Sequence, residues 1–287
     1  MPRFIYGYYI VFFTLSLVFG FWGCETNNKT GGSDIRNTMD GKVTGLGGIF
    51  FKVENPETTR DWYKNQLGFV TNEYGSLFES ANKNGKAVYM QWSPFSNNTR
   101  YFEPSSKDFM INFRVENLDS LHERFLVNGV KILDSIETYE YGKFLHILDS
   151  ENNKIELWEP VDNVFTKLYS GNTTNNRWVT QIDIESENPE SLRNWYTYNL
   201  GIYFDNNKSL LPFYIPGKEN TPLNFNLNIE SIGSGIFHDK EKQIIITYSY
   251  PSGDSIIKNF IKQSNTPNDA GLYRDKNGYP IKLEEVK

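Results

Sequence analysis

Ile49-Phe50-Phe51-Lys52-Val53-Glu54-Asn55 returns as Ile111-Asn112-Phe113-Arg114-Val115-Glu116-Asn117. With Lys equated to Arg, the two stretches differ at a single position, Phe50 against Asn112. Apolar and polar residues alternate in each, the period of a half-buried strand. Each strand then runs into a segment with helical spacing, Pro56 to Leu67 and Leu118 to Asn128. Asn55 and Asn117 are placed to cap those helices, and Pro56 suits a first helical position. Gly68 and Gly129 stop them, as the left-handed turn after a helix favours glycine. The ends of the two units match as well. Val88 to Pro94, with Trp92, parallels Lys154 to Pro160, with Trp158.

Further copies follow. Glu54, Asn55, Pro56, Glu57, Arg60, Trp62, Tyr63, Leu67 and Gly68 all recur at one offset as Glu187, Asn188, Pro189, Glu190, Arg193, Trp195, Tyr196, Leu200 and Gly201. A weaker fourth copy opens at Gln243 to Tyr250, has a helix-like Asp254 to Gln263, and closes with Asp275 to Leu283. That closing turn and strand parallels Asp149 to Leu157. The polar stretch 162–176, with Gly171 and a run of Asn and Thr, reads as a linker. The repeats divide the chain into two halves, 44–161 and 177–287, each built from two strand–helix–strands units.

The chain has 287 residues, room for about two domains at roughly 100–200 residues each. Aromatic residues make up 16%, enough large side chains to build cores. The net charge is −6 and Lys and Arg are scattered, which argues against nucleic acid as a partner. No Ser-His-Asp order, phosphate-cradling Gly-rich loop, zinc-finger spacing or nucleotide fingerprint occurs. There is one cysteine, Cys24, so no internal disulfide and no thiolate metal cluster can form.

Residues 1–23 read as a signal peptide or membrane anchor: Arg3 precedes an apolar run from Phe4 to Trp22. The run ends in Gly23-Cys24, and 24–43 is a polar tether. This arrangement resembles a bacterial lipoprotein signal, in which the cysteine carries the lipid. The alternative is an uncleaved signal anchor. Both place the rest of the chain in the cell envelope, facing the periplasm or exterior, with the membrane as a partner through the N-terminus.

The stretch Gly45 to Pro56, with Trp62-Tyr63, Leu67-Gly68-Phe69 and the closing Asp149 to Pro160, is similar to a vicinal oxygen chelate domain. That superfamily holds glyoxalase I, bleomycin-resistance proteins and extradiol dioxygenases. The resemblance covers 44–161 closely and 177–287 more loosely. It implies an α+β fold of paired βαβββ units, whose curved mixed sheets form open cups, in two tandem domains. It also nominates metal positions: Gly48, Met110, Met90 or Gln91, and Glu156 in the first domain; Gln181, about Ile245 and Lys282 in the second. Zinc, nickel, manganese or iron would need His, Glu or Gln at such positions. Glu156 is the one sound ligand in the first domain and Gln181 in the second, so no cofactor is expected, and a divalent metal is the alternative.

Three histidines occur. His122 reads as a solvated helix residue and His238 as a loop residue. His146 lies on the strand before that of Glu156. It either faces away or pairs with Glu156 as acid and base. Phe50, Gln91, Trp92 and Trp158 are candidate ligand contacts, with sheet core as the alternative for the aromatics. The expected function is a tethered protein that binds a small organic molecule in the first cup. A divalent-metal lyase, isomerase or dioxygenase, and a non-catalytic envelope interaction protein, are the alternatives.

Overall fold

The computed structural model describes residues 40–169, 172–209, 211–213, 223–232, 234, 237, 242–264 and 271–286. The N-terminal apolar run, Cys24 and His238 lie outside these residues. Among the described residues no helix is long and apolar enough to cross a membrane.

Four units follow one another. The first holds β1 (Lys42–Val53), α1 (Pro56–Leu67), β2 (Thr71–Asn72), β3 (Gly75–Ala81) and β4 (Ala87–Ser96). The second holds β5 (Phe109–Glu116), α2 (Leu118–Asn128), β6 (Lys131–Ile132), β7 (Glu137–Tyr139), β8 (Gly142–Leu148) and β9 (Lys154–Pro160). The linker stretch carries a helix of its own, α3 (Asp162–Tyr169). The third unit holds β10 (Trp178–Ser186), α4 (Pro189–Leu200), β11 (Phe204–Asp205), β12 (Lys208–Ser209), β13 (Leu211–Phe213) and β14 (Leu223–Ser231). The fourth holds β15 (Ile244–Pro251), α5 (Ser255–Gln263), β16 (Tyr273–Arg274) and β17 (Pro280–Val286).

The local signals act as their chemistry requires. Asn55 Oδ1 accepts from the Thr58 amide at 3.0 Å, and Asn117 and Asn188 cap α2 and α4 in the same way at 3.1 Å. Gly68, Gly129 and Gly201 close the three helices at φ of 69°, 68° and 69°, a region costly for any residue with a Cβ.

Units one and two share one mixed sheet, in the order β2-β3-β4-β1-β5-β9-β8-β6, with β7 beside β8. Units three and four share another, β11-β12-β14-β10-β15-β17-β16, with β13 beside β14. In both, a first strand runs parallel to the last strand of its own unit and antiparallel to the first strand of the next. This is the α+β architecture of paired βαβββ units in tandem.

The inner faces of the two sheets and their helices bury one apolar core. α1 packs on α5 and α2 on α4, so unit one meets unit four and unit two meets unit three. Trp62 and Phe260 meet edge to face at 5.6 Å. Two buried hydrogen bonds repeat the same exchange. Tyr63 of unit one donates to Asp275 of unit four at 3.0 Å, and Tyr196 of unit three donates to Asp149 of unit two at 3.0 Å. Each aspartate also accepts the amides of its own hairpin turn, from Asn277 and Tyr279 or from Glu151 and Asn153. One carboxylate thus shapes a turn and ties the two sheets together.

Candidate functional site

The outer face of the first sheet carries alternate residues: Gly48 and Phe50 on β1, Tyr89 and Gln91 on β4, Met110, Asn112 and Arg114 on β5, His146 on β8, and Glu156 and Trp158 on β9. Gly48 lies in register with Gln91 and with Asn112, and Asn112 with Glu156. Irregularities in the β1–β5 pairing between Val43 and Gly45 and between Leu46 and Gly48 set this register.

Glu156 is the hub. It is 4% exposed. Its Oε1 accepts from Asn112 Nδ2 at 2.5 Å, and its Oε2 faces His146 Nε2 at 2.9 Å. The Tyr101 hydroxyl donates to the same Oε2 and lies 3.2 Å from His146 Nε2. On the far side of the ring, His146 Nδ1 sits 2.6 Å from Asp134 Oδ2, and the His146 amide donates to Asp134 Oδ1 at 2.9 Å. The imidazole is therefore held between two carboxylates. Burial alone would push its pKa down, but the bonds to Asp134 and Glu156 and the Glu156 charge overcome this and lift it to about 9. The ring is an imidazolium at neutral pH and donates from both nitrogens. Burial acts to raise Glu156, yet its bonds to His146, Tyr101 and Asn112 hold it below the usual carboxylate range. Burial, then the Glu156 charge, pushes the Tyr101 phenol well up, so it stays protonated as a donor.

Tyr101 comes from the loop between β4 and β5. Its ring stacks on Phe95 at 5.6 Å and meets His146 edge-on at 5.5 Å. Lys154 Nζ holds the Tyr101 carbonyl at 2.6 Å. Beside it, Phe102 is wholly buried against Phe50 and Met110. At the other end of the sheet, α3 covers the outer face. Phe165 packs on Trp158 at 5.1 Å and Tyr89 at 5.4 Å, and Leu77 and Tyr141 complete the cluster. The cup, expected open, is filled by the chain's own side chains.

Three expected placements need correction. Trp92 is not on the cup face. It is fully buried in the inter-sheet core, tilted against Phe51 and Tyr63 and edge-on to Phe69, with its Nε1 donating to Tyr248 at 2.9 Å. Met90, its alternating neighbour, also faces that core, so Gln91 is the residue on the cup side. Met110 is on the cup face but packs under Phe102; Asn112, two residues on, is what meets Glu156. His122 is half-buried on α2. Phe50 and Trp158 do face the cup, as parts of its filling. Gln91 faces it too, with Nε2 donating to Ser93 Oγ at 2.8 Å and to the Trp92 carbonyl.

Sequence reasoning missed Tyr101, Asp134, Asn112 and Arg114. Tyr101 and Asp134 lie outside the regular strands, where no periodicity marks them. Asn112 did carry a signal: it is the one position where the two opening strands differ.

The second sheet has the same register with different chemistry. Gln181 pairs with Asn226 and Thr247, and Thr247 with Lys282; Ile245, expected at this place, sits two residues away. Gln181 Nε2 donates to Asp183 at 2.8 and 3.0 Å, and Asn228 Nδ2 donates to it at 2.8 Å. Burial pushes the Asp183 pKa up. Asn228 Oδ1 and Thr247 Oγ1 are buried without partners. Lys282 pairs with Glu284 at 2.8 Å.

Neither set of side chains fits a divalent ion. In the first sheet the row offers one carboxylate, already bonded to Asn112, Tyr101 and His146, and both ring nitrogens of His146 lie on carboxylates. In the second, the row places an ammonium where an anion would be needed. Among the described residues, no three His, Cys, Asp or Glu side chains converge to hold a metal ion.

No family model and no curated protein sequence matches the chain. Solved structures do. A catechol 2,3-dioxygenase is similar over 86% of this chain and 89% of its own, with a TM-score of 0.54 and 15% identity. A Mn(II)-bound glyoxalase from Novosphingobium aromaticivorans covers 85% of this chain and 83% of its own, at 0.50 and 11%. A 2,3-dioxygenase from a Pseudomonas strain covers 85% of this chain and 93% of its own, at 0.50 and 13%. The chain shares its fold, paired βαβββ units in tandem, with all three. Fold is what this likeness carries; activity has to come from the site.

Proposed function

We propose that the chain is a cell-envelope protein, tethered by its N-terminus, that takes a small organic molecule with a ring hydroxyl into the first cup. No metal takes part in this binding. One observation carries the reading: the Tyr101 phenol sits on Glu156 Oε2 beside His146, with its ring stacked on Phe95. A buried carboxylate, held charged by an imidazolium and an amide, is built to accept a hydroxyl. The chain satisfies it with its own phenol, on a loop, where a ligand's hydroxyl would serve equally. Glu156 and His146 then orient the ligand. Between them they hold one proton that can be exchanged with the bound hydroxyl.

The test is calorimetric titration of the EDTA-treated protein with 4-methylphenol. The wild type, which must release Tyr101 first, binds weakly. Tyr101→Ala leaves a ring-sized space and binds at least about ten-fold more tightly, because the competing internal phenol is gone. Absence of binding to both proteins, or binding that appears only after Mn(II) or Zn(II) is restored, would overturn the proposal.

A further inference from the structure

Arg114 lies two residues beyond Asn112 on the same outer face of β5. It is 7% exposed. Its guanidinium rests over the Trp158 ring at 4.9 Å, and Nη1 donates to the Tyr89 carbonyl at 3.3 Å. A buried arginine needs a charge partner. Its partner is Asp162, at 2.6 Å, on the first turn of α3. Asp162 is not part of the sheet; it arrives with the helix that also drives Phe165 onto Trp158 and Tyr89. The anchor of α3 is therefore a carboxylate on a cation and an aromatic ring in an aromatic slot, which is how a small organic acid would be held.

The Tyr101 hydroxyl fills one seat in the cup and the Asp162 carboxylate fills another. The strand rise puts the Asn112–Glu156 row and the Arg114 row about 7 Å apart. A benzene ring with a hydroxyl and a carboxylate at opposite ends spans that interval. We infer that Arg114 is a carboxylate-binding subsite, that α3 occupies it as a displaceable internal plug, and that the cup's ligand is an aromatic hydroxy acid. The inference rests on the reading that the first cup binds a ring hydroxyl at Glu156. It adds the second pole of the ligand and the segment that must leave.

The plug explains why the linker stretch folds as a helix with an acidic first turn and an inward Phe165. Withdrawing α3 uncovers a slot walled by Tyr89 and Trp158, with Arg114 at its end. Withdrawal also takes away Asp162, the carboxylate that pairs with the guanidinium. A charge-assisted bond between a buried arginine and a carboxylate is among the stronger polar contacts available to a ligand.

The experiment compares 4-hydroxybenzoate with 4-methylphenol by calorimetric titration of the wild type, Asp162→Asn and Arg114→Gln. Asp162→Asn removes the competing anion and keeps the side-chain shape. It is expected to bind 4-hydroxybenzoate about ten-fold more tightly than the wild type, with 4-methylphenol unchanged. Arg114→Gln is expected to lose the preference for the acid. Should Arg114→Gln fail to fold, the Asp162→Asn comparison decides alone. If 4-methylphenol binds and the carboxylate adds nothing in Asp162→Asn, the subsite is refuted while the hydroxyl-binding reading stands. If neither compound binds Asp162→Asn or Tyr101→Ala, both fall together.

Discussion

The imidazolium between Asp134 and Glu156 makes stability depend on alkaline pH in a calculable way. In the unfolded chain His146 titrates near 6.5, and in the folded protein near 9. The folded state therefore holds a proton that the unfolded state has lost across that interval. Its contribution is fully present below about pH 6.5 and is lost as pH rises through 9. At 1.36 kcal/mol per pH unit, the whole interval is worth about 3 kcal/mol. His146 is 8% exposed, so solvent screening removes little of it. Urea denaturation between pH 6 and 10 reads the effect directly. The unfolding free energy should fall with a slope approaching one proton between pH 7 and 8.5, then level off. His146→Gln should be less stable at pH 6.5 and flat across the same range. A wild type as flat as the variant would refute the two-carboxylate clamp, since no other described histidine has both ring nitrogens on carboxylates.

Other perturbations test the frame around the site. Tyr63→Phe leaves buried Asp275 without its cross-sheet donor, and Tyr196→Phe does the same to Asp149. Each should cost about 1–3 kcal/mol in chemical denaturation, and the double variant should lose about the sum, because the pairs share no partner. A Cβ on Gly47 would stand 1.9 Å from Asn112 Oδ1. Gly47→Ala must therefore push the Asn112 amide off Glu156, and should raise the Glu156 pKa, read by NMR titration, together with a loss of about 1–3 kcal/mol.

Most of the frame was legible because it is repeated and periodic. The caps at Asn55, Asn117 and Asn188, the glycine stops, and the matched Trp-Tyr pairs each obey a local rule that survives in one sequence. The site obeys none. Tyr101 reaches Glu156, and Asp134 reaches His146, from irregular segments, 55 and 12 positions away in the chain, and only the folded loops bring them there. Trp92 shows the opposite failure: a conspicuous aromatic near the cup, whose side of the strand turns on a one-residue choice of register. Asn112 was visible as the mismatch in an otherwise repeated strand, but a mismatch carries no sign of which face it serves.

The repeats also say where divergence was possible. Each sheet's inner face is bound by the reciprocal Tyr63–Asp275 and Tyr196–Asp149 exchange, so a change in one unit is felt by the unit opposite. The outer faces meet no such partner, and there equivalent positions have moved apart in charge. Glu156 stands where the second sheet has Lys282, Asn112 where it has Thr247, and Phe50 where it has Asp183. A carboxylate hub surrounded by donors accepts a hydroxyl. An exposed ammonium beside a carboxylate whose pKa is raised by burial does not offer the same seat. The two cups therefore cannot bind one ligand in the same pose, and a titration with an aromatic hydroxy acid should give one site per chain, lost with Glu156→Gln and unaffected by Lys282→Gln.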